Sequence, residues 1–428
     1  MEHWVSLWHI ISCKARLFRG RRLSEILDKD ERKRLTNEAV RRVQDKGMAD
    51  DDEINDIIAG IVMEYSGEHY LSLSEKLKLK SYIFASMRGM DVLQELIDNP
   101  AITEIMVNGA DDIFVEQNGA ITKQDICFDT REKLDDVVQK IAAGSNRIIN
   151  EASPIVDARL PDGSRVNMIL PPIALNGPIV TIRKFPLETM TIEKLISYGS
   201  ITEEAAQFLE KLVIAGYNIF VSGGTGSGKT TFLNALSNFI PNDQRVITIE
   251  DSAELQLRNI PNLVSLEVRN ANVEGKNEIS IRDLIKCSLR MRPDRIIVGE
   301  VRDAACIDML QALNTGHSGM STGHSNSTSD MLSRMETMVL LGADIPLLAV
   351  RRQIASAIDI IIQLGRFRDK TRKVVEITEV AGFENNEVVL NTCFKFVEKG
   401  EEKGRVIGKL EKTGTGLKNR EKLISAGL

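Results

Sequence analysis

The chain has 428 residues, 43% apolar and 27% charged, with a formal net charge of −6. That length suits about two or three domains with ample core material, and the acidic balance argues against a chain built mainly to bind nucleic acid, which is usually basic. Cys13, Cys127, Cys287, Cys306 and Cys393 form no C-x-x-C pair and have no histidine at ligand spacing, which points to reduced thiols without a structural zinc; no run of about 18 apolar residues offers a membrane-spanning helix.

Residues 1–20 form an amphipathic leader. Trp4, Trp8, Ile11, Ala15 and Phe18 fall at helical spacing, and Lys14, Arg16, Arg19, Arg21 and Arg22 follow closely. The charges come after the apolar part, unlike a secretion signal. A basic helix with aromatic anchors suits the surface of an anionic membrane; docking on the protein itself is the plainer alternative. Residues 21–88 read as a helical module. Leu23, Ile26 and Leu27, then Ile54, Ile57, Ile58, Ile61 and Val62, repeat at helical spacing, and Asp50-Asp51-Asp52 marks a helix start.

From 89 to 187 the texture becomes mixed α/β. Ile102–Gly109 and Asp112–Gly119 read as short strands, each ending in an Asn-Gly turn signal. Leu134 to Ile149 is expected to be a helix. Ala158 to Asn167 reads as strand, Pro-Asp-Gly-Ser turn, strand, and Ile179 to Lys184 as another strand. Arg159, Arg165 and Arg183 lie on or beside these strands. They are either a solvated edge or, beside a nucleotide domain, a phosphate clamp.

Residues 188–199 read as a linker. From 200 to 428 strands and helices alternate, which implies a mostly parallel sheet covered on both faces. Tyr217 to Ser222 is a strand and Thr230 to Phe239 a helix stopped by Pro241. Between them stand Gly223, Gly224, Thr225, Gly226, Ser227, Gly228, Lys229, Thr230 and Thr231. This matches G-x-x-x-x-G-K-[ST], whose glycines let backbone N–H groups close on a polyphosphate. Lys229 supplies charge to the β- and γ-phosphates and Thr230 a hydroxyl to Mg²⁺. ATP and Mg²⁺ are the ligands this pattern calls for.

Arg245 to Glu250 and Arg295 to Glu300 repeat one pattern, an apolar strand with a carboxylate at its C-terminal end. Ligands in such sheets bind outside those ends, so Glu250 and Glu300 are the candidates for water activation and Mg²⁺ binding. Which does which stays open; reach favours Glu250 as the base and leaves Glu300 the metal. His317 and His324 sit seven residues apart on a Gly/Ser-rich stretch; they are either polar loop residues, or His324 bonds a γ-phosphate. Helices are expected at Ile281–Leu289, Ala304–Asn314, Thr328–Leu341 and Leu347–Ala357. Strands follow at Asp359–Leu364 and Lys373–Val380, flanking a charged Arg366–Arg372 hairpin, and at Val388–Phe396. The last 34 residues, basic and glycine-bearing, are expected to be loosely ordered.

Gly223–Thr231, Arg245–Glu254, Arg290–Asp303 and Gly316–His324 together resemble the Walker A, Asp box, Walker B and His box of the secretion/traffic ATPases, which drive type II and type IV secretion and type IV pilus machines. Asp157 to Asn167 and Thr181 to Phe185 resemble the CpaF-like branch, which serves tight-adherence (Tad/Flp) pili. The resemblance runs from about residue 22 to the end. It implies an α/β chain with a RecA-like P-loop NTPase domain over 200–428, preceded by a PAS-like α/β domain over 89–187 and the small helical module. It further implies a homo-hexameric ring, arginines (here Arg159, Arg165 and Arg183) that sense ATP from the PAS-like domain, and inner-membrane platform proteins as partners. The expected place is the cytoplasmic face of the inner membrane, with no nucleic acid bound. A RecA-like nucleic-acid translocase is the alternative reading, opposed by the acidic balance and the lack of a basic-aromatic stacking stretch. A GTPase switch would need an N-K-x-D stretch, which is absent.

Overall fold

The computed structural model describes residues 27–47, 49–87, 89–117, 119–185, 190–269 and 277–428. The expected leader over 1–20 lies outside them. The chain divides into two compact units, Met1–Leu187 and Glu188–Leu428.

The first unit begins with three helices, α1 (Lys29–Lys46), α2 (Asp51–Glu68) and α3 (Leu73–Met87). Asp50 caps α2 in a reciprocal box with Glu53, so two of its unsatisfied N-terminal donors find partners. Ile54, Ile58, Ile61 and Val62 of α2 pack on Leu35, Ala39, Leu79 and Ile83. A short α4 (Leu93–Asp98) leads to strands β1 (Ile102–Asn108), β2 (Ile113–Gln117) and β3 (Ala120–Lys123), helix α5 (Arg131–Gly144), and strands β4 (Ile155–Arg159), β5 (Arg165–Ile169) and β6 (Ile179–Arg183). They form one antiparallel sheet ordered β3-β2-β1-β6-β5-β4. Leu134, Val138 and Ile141 of α5 bury against Ile105, Val107, Val166 and Ile182. The helix expected at Leu134–Ile149 is shifted toward the N-terminus: Thr130 caps it, and Asn146 at φ 54° ends it.

The second unit opens with α6 (Ile192–Ser197) and α7 (Glu203–Ile214). Then come β7 (Ile219–Gly223), α8 (Lys229–Ser237), β8 (Arg245–Glu250), β9 (Asn262–Glu267), α9 (Ile281–Ser288), β10 (Arg295–Val298), α10 (Ala305–Asn314), β11 (Ser318–Gly323), α11 (Thr328–Gly342) and α12 (Leu347–Ala357). Strands β12 (Ile360–Arg366), β13 (Arg372–Glu384), β14 (Glu387–Glu402) and β15 (Arg405–Lys412) and a short α13 (Glu421–Ser425) finish the chain. The nine strands run β15-β14-β13-β12-β7-β11-β10-β8-β9. From β12 to β9 all pairings are parallel, and β13 to β15 add an antiparallel extension. Alternation along the strands splits the core across two faces: Ile219 and Val221 face Leu233 and Leu236, whereas Phe220 faces Leu310 and Met331. Both faces are covered, as parallel sheets require.

β13 carries one extra residue opposite β12. Gln363 pairs with Glu376 but Leu364 with Val374, leaving Val375 unpaired. Gly365 makes room for it, since a Cβ there would lie 2.7 Å from a Val375 methyl. Val374 and Ile377 consequently share one core although three residues apart, which strict alternation forbids.

The C-terminal 34 residues are not loose. Val406, Leu410 and Leu417 are buried, so the charges that suggested a solvated tail occupy the outer positions. The buried Glu379 carboxylate accepts from the backbone of Lys418 and Asn419 and from Asn391 Nδ2. Lys422 pairs with Asp359 at 2.5 Å, and the Tyr217 hydroxyl donates to Asn419 O.

Candidate active site

β7 delivers the chain to the glycine-rich loop, and α8 leaves it with its N-terminus at Lys229. Two glycines meet requirements no other residue satisfies. Gly228 caps α8 at φ 91°, ψ 26°, the left-handed region. A Cβ at Gly223 would lie 2.7 Å from Leu364 O and 2.6 Å from Ser227 Oγ. Gly224, Thr225 and Gly226 are exposed along the loop. Thr230 and Thr231 stand in the first turn of α8. The Lys229 ammonium turns back, donating to Gly223 O at 3.1 Å and Gly224 O at 3.2 Å.

On one side of the loop lie the ends of β11, β10 and β8. His324, just past β11, stands 3.3 Å through Nδ1 from Lys229 Nζ and 3.2 Å through Nε2 from Glu300 Oε1. The ammonium can only donate, so the nearer Nδ1 accepts from it, while Nε2 stands beside the carboxylate without a hydrogen bond to it. Arg302 braces Glu300, donating from Nη2 to Oε2 at 3.0 Å with Nε 2.9 Å from Oε1, and lies 3.9 Å from Asp251. Glu250 is buried; its Oε1 accepts from the backbone of Glu254 at 2.9 Å and Leu255 at 3.0 Å. Gly299 packs against it, for a Cβ there would meet Glu250 Cγ at 2.8 Å. Gly299 is itself held, donating to Ile249 O at 2.9 Å and accepting from Thr322 Oγ1 at 2.7 Å.

Charge follows this geometry. Burial pushes the Glu300 carboxyl up, but the Arg302 hydrogen bond, with the charges of Arg302, His324 and Lys229, outweighs it and lowers it. Burial, then Lys229, pushes His324 below its usual 6.5. Burial also lowers Lys229. The result is a carboxylate, a neutral imidazole and an ammonium in sequence.

On the other side of β7 lies β12. The Ser222 hydroxyl donates to Gln363 Oε1, and Gln363 Nε2 donates to Ser325 O at 3.3 Å, tying the end of the histidine stretch to both strands. Beyond it, the β12–β13 hairpin reaches the loop: Arg372 Nε donates to Gly226 O at 2.9 Å.

Of the residues expected to act, Lys229, His324 and Glu300 are in direct sequence, and Glu250 lies one strand away. His317 is not with them. It precedes β11 while His324 follows it, so the pair is separated by the strand's length. In the first unit, Arg159 pairs with Arg165 and Arg165 with Arg183 in strand register. The three therefore share one rung of the sheet. Arg302, Gln363 and Gly299 went unnamed from sequence, and Arg366 and Arg372 were named only as the ends of a charged hairpin. Only the charged hairpin and the two-residue spacing from Glu300 to Arg302 were signals for any of them.

The residues present fit a polyphosphate. The Ser227 hydroxyl, 3% exposed, has no hydrogen-bond partner, and no carboxylate among the described residues lies in ion-pair contact with Lys229. The Thr230 hydroxyl and Glu300 carboxylate are hard oxygen donors of the kind Mg²⁺ takes.

Comparison with known proteins gives the family and the fold. The family described as type II/IV secretion system protein matches residues 86–410. Conjugal transfer protein TrbB of Rhizobium radiobacter is 33% identical over 303 residues, 69% of this chain and 89% of that protein. Type IV secretion system protein PtlH of Bordetella pertussis is 32% identical over 316 residues, 67% of this chain and 93% of that protein. The pilus retraction motor PilT with bound ADP shares the fold at a TM-score of 0.51 and 20% identity, over 79% of this chain and 87% of that one.

Proposed function

The chain belongs to the type II/IV secretion system protein family, and on that premise we propose that it is a Mg²⁺-dependent ATPase motor for pilus assembly or protein secretion, of the CpaF-like branch. The observation that carries this reading is the sequence Lys229–His324–Glu300 at the mouth of a glycine-rich loop. In it, 200–428 is the RecA-like domain and 89–187 the PAS-like one, and six copies close a ring. Head-to-tail contacts close in that way without a second interface.

The loop's backbone N–H groups and Lys229 hold the β- and γ-phosphates of ATP, the ammonium exchanging its bonds to Gly223 O and Gly224 O for phosphate oxygens. Glu250, fixed by two backbone donors, is the general base that takes a proton from the attacking water. His324 reads the γ-phosphate through the imidazole that now accepts from Lys229. Thr230 and Glu300 would hold Mg²⁺, which when bound would neutralise charge developing on the transferred group. Arg159, Arg165 and Arg183, three cations on one rung, complete the phosphate site from the PAS-like domain, so that binding and release of ATP drive closure and opening. The motor works at the cytoplasmic face of the inner membrane against platform proteins, with residues 1–20 available to the lipid surface.

The test is steady-state ATP turnover with Mg²⁺, alongside Lys229→Ala. We expect turnover in the parent chain and its loss in the variant, since an unneutralised phosphate costs several kcal/mol in a dry site. Turnover that survives Lys229→Ala would refute the assignment. Stimulation by DNA would favour the nucleic-acid translocase instead.

A further inference from the structure

The β12–β13 hairpin holds two arginines that have no counter-ion among the described residues. Arg366 and Arg372 are direct partners across the hairpin, so their side chains share a face, and like charges so placed are destabilising. Their neighbours are treated differently. Arg368 pairs with Glu398 at 2.6 Å and Glu401 at 2.8 Å, and Lys373 donates to Gly199 O at 3.2 Å. Among the described residues, neither Arg366 nor Arg372 has a carboxylate within ion-pair distance.

The hairpin is also built to stay in place. Phe367 N donates to Thr371 O at 2.8 Å. Asp369 accepts from Thr371 N at 3.0 Å and from Val406 N at 2.9 Å, fastening the tip to β15. Both arginines face the glycine-rich loop. Arg372 donates to Gly226 O, its Cδ is 3.4 Å from where a Cβ on Gly228 would stand, and Arg366 Nη1 is 3.7 Å from the same point on Gly226.

Sidedness then decides what they are for. β11 flanks β7 on one side and β12 on the other. Lys229, His324 and Glu300 gather on the β11 side, where the γ-phosphoryl group would react. A triphosphate stretched along the loop from that side directs its nucleoside toward the hairpin. Resting on the nucleotide reading above, we propose that the β12–β13 hairpin is the nucleoside-side wall of the site. The planar Arg366 guanidinium lies against the face of the nucleobase, and Arg372 is the positioning residue that fixes this wall to the loop through Gly226.

The test is isothermal titration of the full chain with ATP and, separately, with inorganic tripolyphosphate, which has no nucleoside. Arg366→Ala is expected to weaken ATP about tenfold and leave tripolyphosphate unchanged. Arg366→Lys, which keeps the charge but loses the plane, should recover little of the ATP affinity. Arg372→Gln should weaken ATP in the parent chain but add little to Arg366→Ala, a non-additivity that a merely structural role would not produce. Equal weakening of both ligands by Arg366→Ala would overturn the proposal, placing the arginine on phosphate. Unchanged binding of both would overturn it as well. A parent chain that binds neither ligand would instead overturn the nucleotide reading and this inference with it, so the two failures are distinct.

Discussion

Gly299→Ala probes the proposed base without touching a charged residue. The new Cβ would stand 2.8 Å from Glu250 Cγ and 3.1 Å from its Oε1, inside ordinary van der Waals contact. Residue 299 has little freedom to retreat, being bonded to Ile249 O and Thr322 Oγ1. Glu250 must therefore move, and it is held by the N–H groups of Glu254 and Leu255. Losing one such charge-assisted bond costs about 1.5–3 kcal/mol, which lowers the melting temperature by roughly 3–12 °C in a domain of this size. Displacing a catalytic group by about 1 Å costs roughly 10²-fold in turnover. The assay is ATP kcat and KM with a parallel melt. We expect kcat to fall about 10²-fold with KM nearly constant, because the phosphate loop is untouched. The Glu250→Gln/Gly299→Ala pair should be no worse than Glu250→Gln alone. Parental kcat with an unchanged melt would show that Gly299 does not set the Glu250 position.

Three further outcomes follow from the geometry. His324, held below 6.5 by burial and by Lys229, should give turnover an acid limb with an apparent pKa under 6.5. The unfolded chain binds this proton more readily, so stability is lost as pH falls from 6.5 toward the depressed folded value. His324→Gln should abolish the limb; a limb that persists assigns it elsewhere. Arg183→Ala, in the arginine rung, should lose turnover with an unchanged melt, and a parental rate would remove that rung from the mechanism. Glu379→Ala should strand buried donors of Asn391, Lys418 and Asn419 at about 3–5 kcal/mol, freeing the C-terminal tail to protease cleavage near Thr413. Resistance there would mean that the apolar positions alone hold the tail.

Local signals carried much of this molecule. The strand–loop–helix around Lys229 and the strand-end positions of Glu250 and Glu300 are short-range patterns, and the structure bears out their local form. What sequence left hidden was set by register and by long-range pairing. Nothing near Arg159 says that Arg165 and Arg183 share its rung, and nothing near Arg372 says that Gly226 accepts from it. β9 was missed because its exposed edge breaks the apolar run that marked β8 and β10. β3 was missed because all its residues face water. The C-terminal tail misled in the opposite direction, its charges masking the spaced apolar positions Val406, Leu410 and Leu417 that seat it.

The unpaired Val375 sets a parity. Counting back from Ile377 in steps of two reaches Lys373, not Arg372. Leaving Val375 outside the ladder is what keeps Arg372, opposite Arg366, on the loop's face of the sheet. The place of the bulge, rather than the length of the strand, thus decides which cation faces the loop. Deleting Val375 would straighten the strand and leave Arg372 opposite Arg366, whereas drawing Val375 into strict alternation would turn Lys373 inward in its place.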